Sequence, residues 1–260
     1  DVCSSDLNYS ETCASIGLAL FGLRMAKITR KAKYIDVVER ALYNTVISGI
    51  SMDGKSFFYV NPLEVWPDSC LSRTSKEHVK PVRQKWFGVA CCPPNIARTL
   101  ASLGQYIYMK AKDTLYINLF VSNTSVVELE EKNIYVELVT DFPNDNNINL
   151  KVSSNNDNKA SIAIRIPDYA ENFNITINGK SCLFEVNKGF AVINGSFNDD
   201  IIKVKFDSPA RFMYSNPLLR ADFAKVAITK GPLVYCLEEV DNGSNLSGIM
   251  VNTAEEISEI

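Results

Sequence analysis

The chain has 260 residues, 46% of them hydrophobic, with a net charge of −3 and a pI near 5.4. That length suits one large domain or two ordinary ones with a sizeable core. The weakly acidic balance, without a Lys/Arg block, argues against nucleic acid as a partner; the longest apolar run, Ala14 to Leu23, is about half a membrane span and stops at Arg24, so no membrane crossing is expected.

In chain order, Asp1–Leu7 has neither the basic nor the apolar region of a secretory leader. From Cys13 to Ile28 apolar residues occur on every side, which predicts a helix buried nearly all round. Lys33 to Ser48 reads as an amphipathic helix with Tyr34, Val37, Val38, Ala41, Leu42 and Thr45 on its inner face and Asp36, Glu39 and Arg40 outside. Phe57–Val60 is β-prone between a turn at Ser51–Lys55 and Asn61–Pro62, and Glu64 to Gln84 has the aperiodic character of an ordered surface loop. A third helix is expected from Pro94 to Lys110, with proline in its first turn. At Lys112–Asp113 the period changes from 3.6 to 2. Runs at Leu115–Phe120, Ile134–Val139, Ile148–Val152, Ser161–Ile166, Asn174–Ile177, Phe190–Ile193 and Ile201–Phe206 predict an antiparallel β-sandwich over about residues 114 to 240. Asn178–Gly179 signals a two-residue hairpin, and beyond Asn242 there is no period.

Seven cysteines, an odd number in a chain that needs no staples, favour free or metal-bound thiols over a disulfide framework. A cytoplasmic location is expected, with the periplasm and the cell exterior left open. Cys91–Cys92–Pro93–Pro94 sits at the start of the third helix, where the helix dipole favours thiolates. A zinc ion needs about four donors, and Glu11, Cys13, Cys91 and Cys92 form an adequate set. Glu11 and Cys13 share a face only if Ser10–Thr12 is extended, and the adjacent cysteines reach one metal only through a bend, which Pro93 helps to hold by biasing Cys92 away from helical angles. The alternative is plain: cysteine is among the most frequently buried residues, and a pair arises easily by chance. A redox dithiol at Cys91–Cys92 is a further reading. His78, the lone histidine, lies in a charged loop and reads as a solvated side chain rather than the base of a Cys–His pair. Glu11, Glu39, Glu64 and Tyr59 remain as acid or base candidates, with Glu39 expected on a helix surface. Phe57, Phe58, Tyr59, Trp86 and Phe87 suit either a sugar-stacking wall or core.

Taken together, Glu11–Gly17, Glu39–Asn44, Phe58–Leu63 and above all Trp86–Arg98, in this order, resemble the β-L-arabinofuranosidases of glycoside hydrolase family 127. The resemblance implies an α+β multidomain chain. Residues 1–113 would be the C-terminal remnant of an (α/α)6 barrel, and residues 114–260 an antiparallel β-sandwich domain. It further implies a retaining glycosidase acting on terminal arabinofuranosyl units of a glycan, with Zn2+ held by Glu11, Cys13, Cys91 and Cys92. Cys91 would be the nucleophile, and Tyr59 would lie beside it in the substrate site. The family's acid/base glutamate lies farther upstream of the Glu-x-Cys element than the ten residues before Glu11, and Asp1–Leu7 does not match the usual lead into that element. The chain is therefore expected to be the C-terminal part of such an enzyme, and to expose helix faces that a full barrel would cover. The reading from another class is a non-catalytic carbohydrate-binding or structural β-sandwich with a structural zinc. A homodimer through the sandwich stays open.

Overall fold

A computed structural model describes residues 9–258 apart from 75, 157 and 158, so the readings made for Asp1–Leu7 lie outside the described residues. The chain divides into two compact units. One runs from Cys13 to Leu42 and from Cys91 to Ser208; the other holds the segment ending at Thr12, Tyr43–Ala90 and the chain from Pro209 onward. The architecture is a mixed α+β fold with few helices and several largely antiparallel sheets.

Three helices of at least nine residues matter most: α1 (Thr12–Thr29), α2 (Lys33–Ala41) and α3 (Cys92–Ala101). In α1, Ile16, Ala19, Leu23 and Ala26 recur at helical spacing and are buried. Gly22 lets α2 come close, because a Cβ at that position would stand 2.8 Å from Val38 Cγ2 and 3.0 Å from the Tyr34 carbonyl oxygen. The expectation that α1 is buried all round is corrected: Leu18, Phe21 and Ile28 are 49, 61 and 78% exposed, since one stripe alone is packed. By length and composition α1 is also the one described helix long and apolar enough to cross a membrane.

Helix α2 is rotated from its expected setting. Ile35, Val38 and Ala41 are inside as an amphipathic period requires, but Asp36 and Glu39 are inside with them and Val37 is exposed. The cause is an arginine on a distant strand, described below. After Ala41 the helix loosens into a π-type turn, Leu42–Val46. The third helix is shorter than expected: α3 ends at Ala101, the short α4 covers Gly104–Ile107, and Tyr108 already opens a strand. The β-prone Tyr108–Ala111 pairs with the next strand and so ends the helical run early.

Two sheets fill the rest of that unit. The first has β1 (Tyr108–Ala111), β2 (Thr114–Ile117), β6 (Ala160–Arg165), β9 (Glu185–Asn187) and β10 (Phe190–Gly195), in the order β1-β2-β6-β10-β9. The second has β3 (Asn123–Glu128), β4 (Asn133–Thr140), β5 (Asn147–Ser154), β7 (Glu171–Ile177), β8 (Lys180–Ser181) and β11 (Asp200–Asp207), in the order β3-β4-β5-β11-β7-β8. All pairs are antiparallel except β2 with β6, a departure from the expected all-antiparallel arrangement. Alternation is clean in the second sheet: Ile134, Val136 and Leu138, Ile148, Leu150 and Val152, and Ile202, Val204 and Phe206 are buried while their neighbours face outward. Each such side chain contributes about 1.5–3 kcal/mol when fully buried. Asn178 and Gly179 both take positive φ, 50° and 77°, and close the β7–β8 hairpin as a two-residue turn requires.

An arginine at the end of β6 is the polar centre of this unit. Arg165 is 0% exposed. It donates from Nε to the Asn118 carbonyl (2.6 Å), from Nη1 to Asp36 (2.7 Å) and from Nη2 to Glu39, whose other carboxylate oxygen accepts from the Tyr169 hydroxyl at 2.7 Å. Burial holds the Asp36 and Glu39 carboxyls above their ordinary range, with the Arg165 charge pulling them back. Outside this cluster, Arg40 reaches Asp168 with both terminal guanidinium nitrogens, Nη1 and Nη2, at 2.9 and 2.6 Å.

In the other unit the backbone of Phe57 exchanges two hydrogen bonds with Gln84, both 2.9 Å, and isolated bridges join Ile50 to Phe57 and Glu11 to Val60. The expected strand at Phe57–Val60 is thus present only as bridges. Loop 64–84 holds one short 3-10 turn, Pro67–Ser69. A three-stranded antiparallel sheet follows, β12 (Arg211–Tyr214), β13 (Val226–Lys230) and β14 (Leu233–Tyr235), with the Asn44 amide fastened to Pro232 O and Val234 N–H.

Candidate metal and thiol site

The cysteine pair opens α3. Cys91 caps the helix with φ −75° and ψ −26°, Cys92 is the first helical residue, and the prolines occupy the first turn, where their missing N–H groups leave nothing unsatisfied. The bend between the two cysteines therefore comes from helical angles at Cys91, not from an extended Cys92 as the proline pair suggested. Neighbours on a helix are about 100° apart rather than on opposite faces, and the two sulfurs stand 3.8 Å from each other.

Cys13, in the first turn of α1, brings its sulfur to 4.0 Å from that of Cys92. All three sulfurs lie within 4.8 Å of one another. Tetrahedral zinc with bonds of about 2.3 Å to sulfur spaces its ligands about 3.8 Å apart, so the trio fits such an ion in both chemistry and spacing. The thiols differ in access: Cys92 is buried, Cys13 intermediate and Cys91 exposed. Burial first, then the charges on Cys13 and Cys91, push the Cys92 thiol well above its ordinary value. Burial also raises Cys13, and a hydrogen bond from Asn95 works against it.

Asn95, which the sequence pattern did not single out, is a neighbour of this group through its hydrogen bond to Cys13. Arg98 donates to its Oδ1 from Nε and Nη2, at 3.1 and 2.5 Å, which turns the amide nitrogen toward Cys13. Its signal in the sequence is the i, i+3 spacing of Asn95 and Arg98 directly after the cysteine pair.

Glu11 belongs to the other unit, two residues before Cys13, and is held by its bridge to Val60. Thr12 is pinned there too: its N–H donates to Tyr59 O (3.1 Å), its hydroxyl donates to Phe58 O (3.2 Å), and the Asn61 amide donates to that hydroxyl (3.1 Å). Thr12 is already helical and Ser10 takes a positive φ of 40°, so of the extended segment expected over Ser10–Thr12 only the bridge at Glu11 is present.

Tyr59 is buried against aromatic neighbours, with ring centroids 4.6 Å from His78 and 5.6 Å from Phe87. His78 is accordingly not a freely solvated loop residue. It is half-buried, and its Nδ1 lies 2.7 Å from the Tyr9 hydroxyl. Glu39 is not on the surface either, because Arg165 and Tyr169 occupy it. Glu64 is paired with Lys225 at 2.9 Å. The six described cysteines are free thiols, and the 3.8 Å between Cys91 and Cys92 is far from the roughly 2.05 Å of a bonded pair.

Three family models match in succession: the β-L-arabinofuranosidase GH127 catalytic domain over residues 1–105, the GH127 middle domain over 114–208, and the glycoside hydrolase family 127 C-terminal domain over 210–259. A curated relative, the non-reducing end β-L-arabinofuranosidase of Bifidobacterium longum subsp. longum, is 37% identical over 249 residues, covering 93% of this chain and 37% of its own length. Among solved structures, a GH127 β-L-arabinofuranosidase from Geobacillus stearothermophilus is 45% identical with a TM-score of 0.88, covering 95% of this chain and 39% of that one. A second GH127 β-arabinofuranosidase is 35% identical with a TM-score of 0.79, covering 90% and 38%. The chain thus spans well under half the length of these relatives. With its successive domain matches and its Cys91–Asn95 element, the chain belongs to glycoside hydrolase family 127.

Proposed function

We propose that the chain is the thiol-bearing part of a retaining β-L-arabinofuranosidase, with Cys91 as nucleophile. The observation that carries this reading is the three-sulfur group in which Cys91 is the exposed member, at the start of a helix. Glu11, Cys13, Cys91 and Cys92 would hold a zinc ion. Bound there, zinc would keep the thiols deprotonated at neutral pH. In this reading the helices belong to an (α/α)6 barrel, residues 1–113 belong to the catalytic domain, and residues 114–260 are its β-rich support.

The chemistry follows from the thiolate. Cys91 Sγ attacks the anomeric carbon of a terminal arabinofuranosyl unit; a sulfur–carbon bond forms, the glycosidic carbon–oxygen bond breaks, and the departing oxygen takes a proton from a carboxylic acid. Water then attacks the same carbon, gives its proton to that carboxylate and releases the thiolate. Glu39 is closed off by Arg165 and Glu64 is engaged with Lys225, so the acid is assigned, by the family resemblance, to a glutamate upstream of Glu11. Tyr59 would line the sugar site. Asn95, fixed by Arg98, steadies the Cys13 sulfur.

A mechanism-based arabinofuranosyl reagent followed by peptide mass spectrometry tests the reading. Adduct is expected on Cys91 alone and lost in Cys91→Ser while the β-sheet circular dichroism persists. Label spread evenly over the cysteines would instead favour a structural zinc in a non-catalytic module.

A further inference from the structure

At the far end of α1, in the same compact unit as the three thiols, lies a cleft of about 470 Å³, a volume within the range of about 300–1,000 Å³ typical of small-molecule sites. Lys27, which lines it, is about 20 Å along the helix axis from Cys13. Lys27 and Arg30 enter from the end of α1 and Lys110 from β1, beside Gln105, Tyr108 and Tyr116; no acidic residue is in the lining. Among the described residues neither Lys27 nor Arg30 has an ion-pair partner. Lys110 gives one Nζ proton to the Glu128 carbonyl at 2.6 Å, which steadies the ammonium and leaves two donors.

The end of a helix attracts cations through its dipole, but that does not account for this set. Lys188 already serves the Thr29 carbonyl, with its Nζ at 3.0 Å. Arg30 closes the helix through its N–H to Ala26 O (2.7 Å) at a φ of 55°, the left-handed position that glycine fills at less cost. Strain of this kind beside a cleft points to a use for the side chain. The aromatic rings are held in place: the Tyr108 hydroxyl donates to Asn123 Oδ1 at 3.1 Å, and Tyr116 stands edge-on to Phe190 at 5.1 Å and 85°. Fixed rings beside three cations and an amide suit a ligand that combines an apolar C–H face, hydroxyl groups and a negative charge.

We propose that this cleft binds an anionic sugar, with its carboxylate or phosphate held by Lys27, Arg30 and Lys110 and its ring set against the tyrosines. The site is separate from the thiol group and does not rest on the glycosidase reading.

Saturation-transfer NMR on the full chain tests this, with D-galacturonate, D-galactose 6-phosphate and D-galactose as probes and inorganic phosphate as competitor. At least one of the two acids should bind saturably, and the tighter one identifies the anion. Galactose should bind at least about tenfold more weakly, the worth of a charge-assisted hydrogen bond. Inorganic phosphate should displace the acid only at several-fold higher concentration. Arg30→Gly should weaken binding about tenfold while raising the melting temperature, because glycine relieves the left-handed position; Lys27→Gln should weaken binding and leave the melting temperature unchanged. If neither acid binds, or if both variants bind as tightly as the parent, the inference falls. Inorganic phosphate as tight as either acid would overturn the sugar assignment. An Arg30→Gly chain that melts earlier yet binds normally would reduce Arg30 to a helix counter-charge and overturn its role.

Discussion

Replacing Arg165 by methionine tests the account of the buried cluster most directly. Arg165 satisfies a backbone carbonyl and two carboxylates with three donors and stacks its guanidinium 5.4 Å from the Phe120 ring. Methionine fills much of the volume but leaves Asp36, 4% exposed, and Glu39, 0% exposed, facing each other without a counter-charge. Breaking a buried pair in this way costs about 3–5 kcal/mol, a large share of the 5–15 kcal/mol that holds a domain together. The urea midpoint should fall accordingly, with the slope unchanged. The loss should also depend on pH, with a definite sign. Burial already holds both carboxyls above their ordinary range, and removing Arg165 raises them further. The folded state then binds more protons than the unfolded one, so its stability declines as pH rises through the raised values. The penalty in Arg165→Met should be small near the ordinary carboxylate range and grow toward neutral pH. Removing all three charges together, as Asp36→Leu, Glu39→Met and Arg165→Met, should restore most of the loss. A single variant that loses under about 1 kcal/mol at neutral pH, or a triple variant no better than the single one, would refute the reasoning.

Metal uptake gives a second test. Since burial raises the Cys13 and Cys92 thiols, zinc added to metal-stripped protein near neutral pH should release protons, and affinity should rise with pH; weakly buffered indicator titrations would read both, and uptake with no proton release would contradict the thiolate assignment. Gly22→Ala gives a third. Alanine improves helix propensity by about 1 kcal/mol, yet the new methyl group meets Val38 Cγ2 at 2.8 Å and Tyr34 O at 3.0 Å, so the melting temperature should drop rather than rise.

Periodicity located the strands well where burial alternates strictly, as in Ile134–Leu138 and Ile202–Phe206. It missed β3 and β12–β14, read β1 as the end of the third helix, and missed β8 and β9, which are too short and exposed to carry a pattern. The phase of α2 was illegible for another reason. Asp36 and Glu39 read as a solvated face because the group that draws them inward lies on β6, far along the chain. His78 failed in the same way, since its partners Tyr9, Tyr59 and Phe87 come from three separate segments. The thiol group was more legible: the Cys91–Cys92–Pro93–Pro94 run marks a helix start, and the family pattern supplied Cys13. Its geometry came out differently, because helical angles at Cys91, rather than proline-biased extension at Cys92, make the turn.

The Arg165 cluster also bears on the order in which this chain can fold. Its closing contact, from Arg165 to Glu39, spans 126 positions. During synthesis α2 emerges long before β6 exists, and until then both of its acids have water as their best partner. The helix can form early, but its acidic stripe cannot be taken out of water until β6 has joined its sheet and presents the guanidinium. Sealing that stripe is therefore a late event, gated by long-range strand pairing, which is intrinsically slow. A nascent chain halted before Ile164 would hold α2 with its two acids still in water.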